Sequence, residues 1–179
     1  MRIYVPVTVR MLQQLVADEQ LFPVGGTAFA VTPALREAYA SGDEEELAEV
    51  AMRDAGRGSL RLLAAEIDGA GTERAGTDGA GTEGPILRRA VLAVDADDAV
   101  LRPDLDDAVV KVSGPVRLAD VASAHIDLAG AEESIARLLP VIDQADLGDE
   151  DAELALGDVE DHDLAWYATQ ELHFLLELL

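Results

Sequence analysis

Ser123, His125 and Asp127 lie within five residues and supply the three side-chain types of a nucleophilic relay. Such a relay needs its base within hydrogen-bond reach of both the hydroxyl and the carboxylate. Residues two apart on an extended chain are separated by about 6.5–7 Å, which argues against a direct relay and for a solvated polar face. His125 and Asp127 keep a role in a site shared with other strands. With Tyr4, Arg36 and the glycine turn Gly25-Gly26 they form the candidate small-molecule pocket, in which no residue is assigned a catalytic role. The remaining histidines, His162 and His173, are 11 apart on an expected C-terminal helix. That spacing is about 16 Å, too far for one shared metal ion.

Other templates fail on context. Gly79-Ala80-Gly81-Thr82-Glu83-Gly84 spells G-x-G-x-x-G, but it closes a Gly-Thr-Ala repeat with no strand before it, and Pro85 follows. Lys111 precedes Val112 and follows no glycine-rich turn, so there is no phosphate loop. The acidic runs Asp95–Asp107 and Asp143–Asp163 lack the glycine a calcium loop needs at its sixth position. Both read as solvated charge.

The elements that would carry these residues follow from periodicity. Arg2–Val9 alternates as a half-buried strand, with Pro6 pushing it towards an edge. Met11, Leu12, Leu15 and Val16 recur at helical spacing, and Thr27–Val31 is a short strand. Thr32-Pro33 is an N-cap with proline at the first helical position, opening Ala34–Ala40. Ser41 with Glu44 fits a capping box for the next helix, in which Gly56 and Gly58 predict a bend or break. Leu87–Val94, Ala108–Val112 and Leu118–Leu128 are strands, Ala131–Ile142 is a helix, and Asp163–Leu179 is a strongly apolar terminal helix. The expectation is a single α+β domain over 1–179, with a flexible Gly/Thr-rich insertion at 69–84 and an acidic connector at 143–163. Its sheet, mixed or antiparallel and of about five strands, has helices packed on one face, and a ferredoxin-like arrangement is one form of it.

Composition restricts the function classes. The 179 residues carry 13 Lys and Arg against 36 Asp and Glu, a net charge of −23, and no cysteine. That balance excludes a nucleic-acid binder, and the missing thiols exclude a disulfide scaffold and thiolate chemistry. All the cations but Lys111 are arginine and asparagine is absent, which reads as a GC-rich genome. No signal peptide or membrane span is expected, so the chain is expected to be cytoplasmic.

Gly25-Gly26-Thr27-Ala28-Phe29-Ala30-Val31-Thr32-Pro33-Ala34-Leu35-Arg36-Glu37, with Met1–Val9, His125-Ile126-Asp127 and Trp166-Tyr167, resembles an uncharacterised protein family of high-GC Gram-positive bacteria. The resemblance implies an actinobacterial source and a cytoplasmic protein, and carries no activity, cofactor or catalytic residue. The expected terminal helix is apolar on more than one side. Trp166, Tyr167, Phe174 and Leu178 are therefore the candidate interface for a homodimer or a protein partner. The leading reading is a non-enzymatic protein-interaction or regulatory module that associates through this helix. A small-molecule enzyme or binder using the pocket is the alternative, and an acidic decoy that binds basic proteins is a third. No cofactor, metal or membrane is implied.

Overall fold

A computed structural model describes residues 1–74 and 84–179. Residues 75–83 lie outside the described residues, and with them most of the repeat and of the G-x-G-x-x-G segment. Residues 69–74, expected in the insertion, end a helix instead.

Strand β1 (Arg2–Val7) leads into α1 (Val9–Asp18), whose N-cap Thr8 accepts a hydrogen bond from the Met11 amide at 3.2 Å. Glu19 ends α1 in the left-handed region, and β2 (Gln20–Leu21) follows. A tight turn at Val24–Gly26 opens β3 (Thr27–Phe29). Helix α2 (Pro33–Ala38) starts on Thr32 and Pro33 as expected, with Leu35 N donating to the threonine hydroxyl at 3.0 Å. Helix α3 (Glu44–Arg74) follows.

The second half comprises β4 (Ala90–Asp95), β5 (Val100–Leu101), β6 (Val109–Lys111), β7 (Val116–Arg117) and β8 (Val121–Ile126). After them come α4 (Glu132–Leu138), α5 (Ile142–Asp146) and α6 (Glu150–Glu160). The chain closes with β9 (Ala165–Ala168) and α7 (Leu172–Leu178). Among the described residues, no helix is long and apolar enough to cross a membrane.

The α+β class holds, and the sheet is antiparallel throughout. It has seven strands rather than five, in the order β5-β6-β3-β1-β4-β8-β9, with β2 and β7 paired separately. Strands β1 and β3 pair directly, whereas a ferredoxin-like split unit would hold its helix-joined strands apart. Helices cover both faces rather than one. Ile3, Val5 and Val7 point to α1 and α7, where Leu12, Leu15 and Leu172 are buried with them. The alternate residue Tyr4 points to the other face, against Leu47 and Ala51 of α3. Further along α3, Leu60 and Leu63 bury against Ile135 and Leu138 of α4 and Val159 of α6.

Four local expectations change, each for a visible reason. The capping box of α3 is Asp43 with Glu46: Glu46 N donates to Asp43 Oδ1 at 2.9 Å and Asp43 N to Glu46 Oε2 at 3.1 Å. Glu44 is instead engaged by Arg36 of α2. Helix α3 does not break at Gly56 or Gly58, because Gly58 is where it crosses Pro6 and Gly56 lies beside Arg89. The acidic stretch 143–163 is largely helical, since Asp149 caps α6 by accepting from Ala152 N and the acids of its first turn suit the helix dipole. Trp166 and Tyr167 belong to a strand, not a helix. Their register on β8 (Trp166 opposite His125, Tyr167 opposite Ala124) and their aromatic β preference outweigh the helical spacing of the leucines that follow.

The two helical glycines give opposed outcomes. A Cβ on Gly58 would lie 3.1 Å from both Cβ and Cγ of the rigid Pro6 ring, whereas one on Gly56 would meet Arg89 at an ordinary 3.8 Å. Gly56→Ala should raise stability by about 0.5–1 kcal/mol through helix propensity, and Gly58→Ala should lower it despite the same propensity gain. Urea midpoints at constant m-value measure both.

Candidate functional site

The residues expected to form a pocket are dispersed. Tyr4 is half-buried between β1 and α3, and burial pushes its phenol above the ordinary range, partly offset by Arg2. Gly25 and Gly26 both have positive φ, and a side chain on Gly26 would overlap the Val112 carbonyl. Arg36 is exposed and forms a two-pronged ion pair with Glu44, at 2.7 and 3.0 Å. His125 stands opposite Val91, which stands opposite Pro6, so two strand spacings, about 10 Å, part His125 from β1.

Asp127 is fully buried and accepts three bonds of 2.8 Å, from the amide, Nε and Nη2 of Arg89. Arg89 Nη2 also donates to the His162 carbonyl at 2.7 Å. The pair ties the start of β4 to the end of β8 and to the turn before β9. Asp127 is therefore engaged by Arg89 and not by His125.

Ser123 and His125 do meet, with Oγ and Nε2 3.0 Å apart. The imidazole reaches along the strand and closes a gap that the backbone spacing alone leaves open. The expected solvated face is covered: Ser123 is buried and His125 half-buried, and burial pushes the imidazole pKa below its ordinary value. His162 and His173 occupy separate elements. His162 Nε2 lies 3.5 Å from Ser134 Oγ, and His173 pairs with Glu177 on α7. Among the described residues, no group of three His, Cys, Asp or Glu could hold a metal ion.

The candidate interface is divided by the strand. Tyr167 turns to the α1/α7 core, while Trp166 stays 62% exposed on the edge strand, and Phe174 and Leu178 are 67% and 85% exposed on α7.

A cavity lies elsewhere, between α3 and the β1–β3 region of the sheet, with a volume of about 380 Å³. Its helical wall is one stripe, Asp54, Arg57, Gly58, Arg61 and Leu62, at spacings of three, four, seven and eight. Pro6, Phe29 and Thr27 form the floor, Val24 comes from the glycine turn, and Asp106 from the loop before β6. The expectation of a pocket near Gly25-Gly26 thus meets a cavity beside that turn, built from other partners. The stripe was present in the sequence as an i, i+3, i+4, i+7, i+8 pattern of unlike charges.

The cations of the stripe are committed outwards. Arg57 Nε donates to Glu160 Oε1 at 2.6 Å and Nη2 to Oε2 at 3.3 Å, while Arg61 pairs with Asp146. Lys111 Nζ is held by Gly25 O at 2.9 Å and Thr27 Oγ1 at 2.7 Å. Asp54 differs: among the described residues its carboxylate accepts no hydrogen bond. Burial, and then the Asp106 carboxylate, push its pKa above the usual carboxylate range, with Arg57 and Arg53 opposing. Two carboxylates, one of them half-desolvated, therefore face a space with apolar walls.

An antiparallel α+β protein with a lined cavity under its longest helix is the class that fold and site define. The chain matches a family of unknown function (DUF6912) over residues 1–176 and belongs to it. No curated protein and no solved structure matches it.

Asp54 yields a pH-dependent prediction. Its folded pKa lies above its unfolded value, so it favours folding when neutral, and that stability is lost as pH rises through the folded pKa. Asp54→Asn should melt above the wild type at pH 7.5 by at most about 2–4 °C, the shift of a ~1 kcal/mol change in a chain of this size, because solvent screens the half-exposed carboxylate. The gap should close as the pH falls into the carboxylate range. Paired thermal melts across pH measure it.

Proposed function

We propose that this chain is a non-enzymatic, cytoplasmic module that binds a small molecule in the cavity beneath α3. The observation that carries this reading is Asp54, whose carboxylate has no hydrogen-bond partner among the described residues and lies on the wall of a cavity large enough for a metabolite. An unpaired, half-desolvated carboxylate costs stability, and binding proteins accept that cost where a ligand offsets it. The remaining lining supplies shape and recognition: apolar Pro6, Phe29 and Leu62, and the Thr27 hydroxyl.

A fragment screen by amide chemical shifts tests the proposal. Hits should shift the amides of Thr27, Asp54 and Gly58, and Leu62→Trp, which fills the cavity from a partly exposed helix position, should abolish them without loss of fold. Hits that cluster elsewhere, or that survive Leu62→Trp unchanged, would overturn it.

A second reading rests on a different observation. Strand β9 is the edge of the seven-stranded sheet and carries the exposed Trp166, and α7 after it exposes Phe174 and Leu178. An edge strand with an exposed aromatic side chain favours pairing with another chain. On this reading the chain forms a homodimer, and Trp166→Glu with Phe174→Glu should convert it to a monomer in sedimentation equilibrium. A wild type that is already monomeric at about 100 µM, well above the Kd of a specific association, removes the reading.

A further inference from the structure

We propose that the ligand of the α3 cavity is a small organic cation, an ammonium group on an apolar body, with the ammonium seated between the Asp54 and Asp106 carboxylates. The inference rests on the reading that the cavity binds a small molecule, and adds the chemical class.

Three observations select this class. The first is charge commitment. An anion entering the cavity would find Arg57 already doubly bonded to Glu160 and Arg61 bonded to Asp146, so it would have to break pairs to gain any. A cation would find Asp54, whose carboxylate among the described residues accepts no hydrogen bond and meets Arg57 and Arg53 only through space, with Asp106 within electrostatic reach of it. Placing positive charge between two carboxylates removes their mutual repulsion as well as adding attraction.

The second is the donor set. Among the described residues no three His, Cys, Asp or Glu converge, so a bare divalent ion lacks protein ligands here. An ammonium needs hydrogen-bond acceptors rather than a full coordination shell, and two carboxylates suffice to orient it. The third is the lining. Pro6, Phe29 and Leu62 give the cavity apolar walls that a hydrated inorganic ion would not use and an alkyl or aryl body would. The chain's net charge of −23 also draws cations to its surface and raises their encounter rate.

The test uses three probes of one shape on the full chain in 0.15 M salt, where attraction to distant surface acids is screened. They are 2-phenylethylamine, 2-phenylethanol and 3-phenylpropanoate, titrated while the amides of Thr27, Asp54 and Gly58 are followed. The amine should bind saturably and at least tenfold more tightly than the alcohol, with the carboxylate weakest. Asp54→Asn should weaken the amine by tenfold or more and leave the alcohol unchanged, and Asp106→Asn should weaken it less. If the alcohol or the carboxylate binds these amides as tightly as the amine, or Asp54→Asn leaves amine affinity unaltered, the cationic class is wrong while the cavity reading stands. If no probe and no fragment moves these amides, both readings fall.

Discussion

The structure depends on how closely α3 lies on the sheet. At Gly58 the helix has no side chain, and the Pro6 ring takes the space. One residue on, the Ser59 hydroxyl donates to the Val7 carbonyl at 2.7 Å and accepts from Ala90 N at 3.0 Å, closing the ends of β1 and β4 with a single buried group. A proline in a central strand cannot donate to the ladder, and a serine and a glycine weaken a helix. Each local weakness is compensated by the other across the contact. With the crossing point fixed, a helix of 31 residues, about 45 Å long, reaches Leu35 near its start and the α4–α6 cluster further along. Asp54, Arg57 and Arg61 flank that crossing, so the geometry of the cavity follows from it.

A buried ion pair lies beside the same helix, where Arg89 passes Gly56. Arg89 and Asp127 are nearly inaccessible, and burying two charges is costly unless their hydrogen bonds are complete. Here three donors from one arginine residue meet the carboxylate, and the guanidinium also reaches the His162 carbonyl. The pair thus spans three segments distant in sequence, and it is specific because no apolar substitute could bond the His162 carbonyl. Next to it, Ser123 and His125 form a partly buried polar contact on β8, so these polar residues serve architecture.

The legibility of the sequence follows from the range of the forces involved. Thr32-Pro33, the strand alternation of Arg2–Val7 and the helix after Val9 were readable because a cap, a period of two and a period of 3.6 are local properties. Gly58 misled because the compensating Pro6 is some fifty residues away, and Gly56 because its neighbour Arg89 is some thirty residues away. Trp166 and Tyr167 misled because a four-residue strand is shorter than the window in which helical spacing is judged, and its partner β8 decides it. Asp127 showed its chemistry but not its partner. The cavity stripe on α3 was legible as a pattern, yet its meaning required knowing which arginines were already taken.

That allocation follows from composition. With 13 cations against 36 acids, arginines are scarce; some pair with exposed acids, as Arg36 does with Glu44, and others serve carboxylates that burial would make costly. Arg89 serves a fully buried acid, Arg57 the mostly buried Glu160, and Arg88 is itself largely buried beside Glu132. Acids on the outer surfaces of α6 need no partner, because water solvates them. Asp54 fits neither group: it is desolvated enough to perturb its proton affinity, and the arginines that act on it through space, Arg57 and Arg53, both face Glu160. A chain selected for stability alone would place an amide or an alanine there, since the position lies on a helix where either is tolerated. An acid kept in that place, beside a second acid and above an apolar floor, costs stability that Arg57 and Arg53 offset only through space, and a cationic ligand, as proposed above, would offset it by direct contact.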